Sequence, residues 1–550
     1  MVKNYIVIEE AAEMDYLRDF VALPKNYGTR EYFERPDVKE IRRAVHAALQ
    51  KIDEKIDLGK QIRGRHVVIK PNLVIVCYNA GFEKAEMPQT TDPRVFEAVV
   101  DYISRYTKRI TIAESSGSGL GTMANIKLAG YVRIAKHYGC EIEAFENMPV
   151  DRYMLPKAQV MKECLIPRIL SEVVRGEAYY ISVPKMKTNL FTGATLGFKN
   201  AMGSIPVKLR YRNHGYQINK KLVDLLYLFK PDLVVIDGIV GAEGLTPGPV
   251  DPVDTRMIVA SNHAVEADRL TTDMMGLDSK TNKLIMEADA YGFGSPEVEV
   301  IGTPKYFNFC PADASLIGER FRENHPKVRV FVGRMPTDKH LKIEDKDAVT
   351  PEMVKAMESM CDGGCTPALA TLFEMYKFGK KTSKKHIECA LIYGLSVPIG
   401  GEDYYFDYQG KPYTTQEIAA LPIKKLAIGE CARGMEGLVD VYSGGCVDVA
   451  TITTSIRKVT GMSVPVLSAG NKGLPRLGLE AFRTYRLRKR MLRDGEYFDI
   501  EYEPMDHDKI IPIPDLGDDD LQKDYIEWPM PEMTEEKRKE LQKKLKIIDF

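Results

Sequence analysis

Apolar and polar positions along this chain follow two alternating rhythms. Short runs rich in Val, Ile and Tyr recur at 66–76, 109–113, 179–183, 233–236 and 257–260. Between them lie longer stretches with apolar residues three and four positions apart, at 38–52, 94–106, 123–138 and 264–275. Brief buried strands separated by amphipathic helices predict an α/β fold, with a mostly parallel sheet covered by helices on both faces. Pro71 ends the first strand, because proline cannot donate to a central ladder. The same style continues at 327–332 and 388–393, and the run 426–428 leads straight into Cys431.

Punctuation divides the chain. Residues 335–349 are polar and rich in breakers, so the reading sets an α/β domain over 1–340 and a smaller α/β, cysteine-bearing domain over 341–475. Residues 476–550, with the acidic run Asp518–Asp520 and a charged helix expected at 534–546, form a C-terminal arm or subunit contact, through which a homo-oligomer is expected.

Bulk composition excludes several classes. The 550 residues carry 77 basic and 78 acidic side chains, so net charge gives no reason to expect nucleic acid or an acidic membrane as partner. No apolar run reaches the ~18 residues of a membrane span, and the N-terminus turns acidic too soon for a signal peptide. Nine cysteines without a disulfide-like spacing fit a reducing compartment, so the expected location is the cytoplasm.

The chemistry clusters in two places. Cys361 and Cys365 bracket a glycine-bearing turn, and Cys431 and Cys446 follow glycines in Gly429-Glu430-Cys431 and Gly444-Gly445-Cys446. Glycines beside thiolates let backbone approach a compact inorganic centre, so these four are expected to hold one 4Fe-4S cluster, with zinc as the alternative. Cys77, Cys140, Cys164, Cys310 and Cys389 are assigned to packing. The second cluster is cationic and lies at strand ends. It comprises Lys70 and Asn72, then Lys185, Lys187 and Thr188, then Lys199 and Asn200, followed by Arg210, Arg212 and His214. In an open α/β sheet, ligands lie beyond the carboxyl ends of the strands. Ammonium groups with Thr, Asn and glycine amides suit a carboxylate or phosphate, so a small anionic substrate is expected there. Prolines beside the lysines should stop the strands and turn the ammoniums outward. Glu114, Asp237 and Glu243 stand at the same ends as candidate acids or bases, Glu114 foremost. Asp268 is read as structural. Gly117-Ser118-Gly119-Leu120-Gly121 lacks the spacing and acidic partner of a dinucleotide loop.

An ordered series of short motifs resembles a family catalogued as domain of unknown function 362. The motifs are Lys70-Pro71-Asn72, Thr91-Asp92-Pro93, Pro184-Lys185-Met186-Lys187-Thr188, Gly197-Phe198-Lys199-Asn200, Asp237-Gly238 and Gly244 through Pro249, within about 35–300. The resemblance implies an α/β fold and frequent association with iron–sulfur clusters, with no settled reaction. The order Cys361, Cys365, Cys431, Cys446 is similar to the cluster-binding order of hydrogenase small subunits. That similarity implies cluster ligation in an α/β layer and does not extend to hydrogen chemistry. Here the pair is spaced Cys-x-x-x-Cys, and no ferredoxin-type run is present. The expected function is an iron–sulfur oxidoreductase acting on a small anion, with Glu114, Lys185, Lys187 and His214 catalytic and Arg212 among the substrate ligands. Two alternatives remain open at this level. One is a cluster-free isomerase, lyase or transferase with a structural metal. The other is an electron-transfer or sensing subunit with a redox partner protein.

Overall fold

The apolar runs of the first half become buried strands of one sheet. The computed structural model describes residues 3–17, 22–74, 89–116, 121–155, 158, 159, 161, 163–205, 218–244, 246, 250–312, 314–334, 342–359, 365–374, 376, 387–444, 449–462, 474–493 and 525–527. In chain order the described strands begin with β1 (Asn4–Glu10), β2 (His66–Pro71), β3 (Ile110–Glu114), β4 (Glu141–Ala144), β5 (Val150–Met154) and β6 (Glu163–Pro167). They continue with β7 (Ala178–Val183), β8 (Lys185–Asn189), β9 (Gly193–Thr195), β10 (Leu233–Gly244), β11 (Val250–Ser261) and β12 (Val298–Ile301). The later strands are β13 (Val328–Val332), β14 (Cys389–Tyr393), β15 (Val397–Ile399), β16 (Glu402–Phe406), β17 (Pro412–Thr414), β18 (Lys425–Ile428), β19 (Val441–Ser443) and β20 (Tyr525–Glu527).

The larger sheet has the order β12-β1-β11-β10-β7-β2-β3-β4, with β8 paired to β10 and β9 to β8. Strands β10, β7, β2, β3 and β4 are mutually parallel, and β11 runs against β10 and β1. Alternate residues of these strands feed two apolar cores. Val68, Tyr180, Val234 and Ile236 face one. Val67, Ile69, Ile112, Ile181 and Val235 face the other. Helix Pro36–Ile56 covers the second face, burying Val38, Ile41, Val45, Ala48, Leu49 and Ile52 at helical spacing, and Pro36 starts it where no amide hydrogen is missed. The order reverses between β2 and β7: the chain goes from β2 to β3 to β4 on one side, then returns to β7 on the other. Such a reversal opens a crevice at the carboxyl ends.

The smaller sheet has the order β15-β16-β13-β14-β18-β19, with β17 on β16. Strands β13, β14, β18 and β19 are parallel and follow one another without reversal. The two sheets meet at Leu190, just past β8, which packs against the smaller sheet's apolar core together with Cys365. The C-terminal region returns to the first half. Helix Leu474–Arg493 makes the ion pair Glu480–Lys127 at 2.6 Å, and β20 pairs with β5.

Four expectations change. Strand β13 belongs to the smaller sheet, so the sheets divide between β12 and β13, ahead of the polar stretch taken as the boundary. Strands β10 and β11 extend to twelve residues each; their outer halves carry glycines and prolines that hide the period-2 signal, while the antiparallel ladder supplies their hydrogen bonds. The helix expected over 123–138 is two, Thr122–Ala129 and Tyr131–Tyr138, split at Gly130 with φ +89°. Lys185–Asn189, read as a strand end, is itself a strand: past Pro184 the chain leaves β2 and resumes pairing with β10, which β7 also borders.

Candidate functional site

The carboxyl ends of β7, β2 and β3 lie side by side next to β10, and a charged residue stands at or beside each end. Lys70 closes β2 with Pro71, Glu114 closes β3, Lys185 opens the extension of β7, and Asp237 sits in β10 opposite Lys185. All four are buried. Lys70 and Glu114 pair at 2.7 Å, and Lys185 and Asp237 at 2.9 Å. The expectation that prolines turn these ammoniums into solvent is therefore overturned. Neighbouring parallel strands hold an acid beside each base, and pairing makes burial tolerable.

Asn200 is the hub of the β2 end. Its side-chain oxygen accepts from Lys70 Nζ at 3.0 Å and from Asn72 Nδ2 at 3.2 Å, while its nitrogen donates to Ser182 Oγ at 3.1 Å. The 3₁₀ turn Lys199–Ser204 brings it there, and a Cβ on Gly203 would lie 2.5 Å from Glu114 Oε1 and 2.7 Å from Lys70 Nζ. Only glycine lets that turn rest on the ion pair. Asp268 fixes the start of the turn by accepting from the amides of Gly197 and Phe198 at 2.5 and 3.2 Å, so its carboxylate serves the backbone.

Lys187 differs from its neighbours. Its ammonium nitrogen is buried and donates to the Gln89 carbonyl at 2.7 Å, and no carboxylate contacts it among the described residues. Burial first, then the charges of Lys199, Lys185 and Lys70, hold its pKa well below the ordinary lysine value, while Glu114 acts the other way. Lys70, Lys185 and Lys199 are thus near enough for their charges to act on Lys187. Lys185 is also lowered by burial, against the pull of Asp237 and Asp92. Burial raises Glu114, opposed by Lys70 and by the amides of Leu73 and Ser115, which donate to it at 3.1 and 2.8 Å. Thr195 stands directly opposite Lys187 on β9 and therefore shares its face. Its hydroxyl, the Thr90 hydroxyl and Asn72 Oδ1 are buried without a hydrogen-bond partner among the described residues. Thr188 points the other way, to Thr246 Oγ1 at 3.0 Å.

Behind the lysines lies a layer that the sequence reading missed. Asp92 caps helix Pro93–Ser104 and holds Arg94, which reaches Asp37 at 2.6 Å; the Asp92 amide donates to Asp237 Oδ2 at 2.7 Å. Thr-Asp-Pro announced a helix start, but nothing in it announced a wholly buried arginine. Glu243 accepts from the Cys310 amide at 2.7 Å, a backbone tie rather than a member of the lysine cluster. Arg210, Arg212 and His214 lie outside the described residues, as does the loop 117–120 after Glu114.

At the smaller sheet, Cys365 starts helix Cys365–Glu374, and Cys431 follows β18 by way of Gly429, whose φ is +87°. A Cβ at Gly429 would lie 3.3 Å from Cys431 Sγ and 3.6 Å from Cys365 Sγ, so the two sulfurs converge on one point. Strand β19, which leads to Cys446, pairs in register with β18. Cys361 and Cys446 lie outside the described residues, and among those described no three acidic, histidine or cysteine side chains form a metal-sized group. Two converging thiols on a glycine turn fit half of the proposed ligand set. Next to Cys365, Thr366 Oγ1 donates to Tyr393 OH at 3.1 Å, and Tyr393 donates to buried Glu358 at 2.5 Å. Burial pushes Glu358 up to about 7.

Comparison with known proteins bears on the first site. Residues 67–273 match the family model described as Domain of unknown function (DUF362). That span holds every described residue of the lysine cluster and none of the four proposed ligand cysteines. A thylakoid-associated protein of Synechocystis sp. is 25% identical over 247 residues, covering 43% of this chain and 71% of that protein. No described helix is long and apolar enough to cross a membrane.

Proposed function

We propose that this chain is an iron–sulfur enzyme that acts by redox chemistry on a small anionic substrate, a carboxylate or a phosphate. What supports the reading is that the charges of Lys70, Lys185 and Lys199 act on buried Lys187 near the reversal of strand order, beside the Thr90 and Thr195 hydroxyls, which lack partners among the described residues. The two ion pairs cancel internally, and Lys187 has no carboxylate partner among the described residues. An anion accepts hydrogen bonds from the Thr90 and Thr195 hydroxyls and from the neighbouring ammonium groups.

Cys361, Cys365, Cys431 and Cys446 would hold the cluster, which when bound supplies one-electron transfer. Leu190 supports a link between the sites: it lies three residues beyond Lys187, about 10 Å along an extended strand, and packs in the same apolar core as Cys365. Glu114, buried among the lysines, is the proton carrier in this reading. Two measurements test it. Calorimetric titration of the anaerobically prepared full chain should give saturable binding of oxalate or phosphate, and chemical analysis should give iron with acid-labile sulfide. Absence of anion binding removes the substrate reading, and zinc in place of iron removes the redox reading.

A further inference from the structure

We propose that Lys187 is a nucleophile that forms an imine with the carbonyl carbon of a 2-oxo acid, its carboxylate held by the neighbouring lysines. This names the substrate class of the anion site and rests on that reading; it does not depend on the cluster. Three observations carry it. Lys70 and Lys185 each contact a carboxylate, whereas Lys187 donates only to a backbone carbonyl among the described residues. Its nitrogen is buried amid three other lysines, a setting in which an amine sheds its proton and exposes a lone pair. Beside it, the Thr195 hydroxyl faces the same way across the ladder with no partner among the described residues, as a group meant to orient a substrate oxygen would.

The step balances with groups present. The lone pair of Lys187 forms the C–N bond as the carbonyl π pair moves to oxygen. That oxygen takes one proton from the amine and one from the Lys70–Glu114 pair, and leaves as water. A protonated C=N bond on Lys187 remains, one charge richer, and the Lys70–Glu114 pair is one proton poorer. The carboxylate of the substrate lies against Lys199 and Lys185, which balances the new charge.

The probe is pyruvate with sodium cyanoborohydride on the full-length anaerobic protein, read by peptide mass mapping, with oxalate titration run alongside. The expected result is a reduced carboxyethyl adduct concentrated on Lys187, slowed at least tenfold by saturating oxalate and absent from Lys187→Arg. Oxalate binding without a Lys187 adduct overturns the imine while the anion site stands. Adduct spread evenly over surface lysines, unaffected by oxalate, also overturns it. Neither binding nor adduct removes both readings. Because wild-type protein yields the primary result, a variant that fails to fold does not blur the outcome.

Discussion

At the carboxyl edge of the larger sheet, two buried ion pairs, Lys70–Glu114 and Lys185–Asp237, surround an amine without a carboxylate partner among the described residues. At the corresponding edge of the smaller sheet, the groups that meet beside Gly429 are the sulfurs of Cys365 and Cys431. Both edges end parallel strands, so the difference comes from strand order. The larger sheet reverses strand order between β2 and β7, the position at which open α/β sheets bind ligands between distant parts of the chain. In the smaller sheet β13, β14, β18 and β19 lie side by side in sequence, β15 to β17 lie beyond β13, and the chain passes from β18 to Cys431 through a short turn at Gly429. A crevice suits an exchangeable ligand. A tight turn suits a resident inorganic one.

Substitutions that act at one edge sharpen this contrast. The largest effect is expected from Lys185→Met, which strands the Asp237 carboxylate in the interior. Denaturant unfolding should report a loss of about 3–5 kcal/mol, the scale of breaking a buried pair from one side. A loss below about 1 kcal/mol would mean that the pair is solvated and the crevice shallower than described.

At the other edge, Glu358 makes stability depend on pH. Folded, it keeps its proton to about pH 7; unfolded, it releases it near 4.5. Between those values the folded state binds the extra proton, so stability falls as pH rises, by on the order of 3 kcal/mol across the window. Glu358→Gln should flatten that slope in unfolding curves recorded from pH 4.5 to 7, and an unchanged slope would assign it to other groups.

Lys187 reverses the usual direction. Below its unfolded pKa of 10.5 the unfolded chain takes up a proton that the folded chain resists, so this lysine lowers stability at neutral pH. Lys187→Met should therefore stabilise the protein, by about 1–4 kcal/mol, as apolar replacement of buried charge often does, while abolishing adduct formation. The smallest change in stability is expected from Lys199→Ala at the rim. Unfolding should shift by no more than about 0.5 kcal/mol, while oxalate binding weakens by about 1–3 kcal/mol. Equal losses in both would make Lys199 a structural residue.

Sequence alone determined the local layer. Short apolar runs and helical patterns located β2, β3, β7 and the helices Pro36–Ile56 and Pro93–Ser104, because a strand buried on both faces or an amphipathic helix writes its burial into neighbouring residues. It also picked out Lys70, Lys185, Lys187, Asn200 and Glu114, since charged residues beside prolines at strand ends stand out against apolar runs. Only the tertiary structure decided that these lysines are buried and that each of two has its own carboxylate. The partners Lys70 and Glu114 are 44 positions apart, and Lys185 and Asp237 are 52 apart. No local pattern encodes pairing across such distances. It follows from strand order, which brings β10, β7, β2 and β3 together, and from Gly203, which lets a distant turn close over them. Arg94 and Glu358 stayed illegible for the same reason: a charge at a polar-looking position reads as solvated until the fold wraps partners around it.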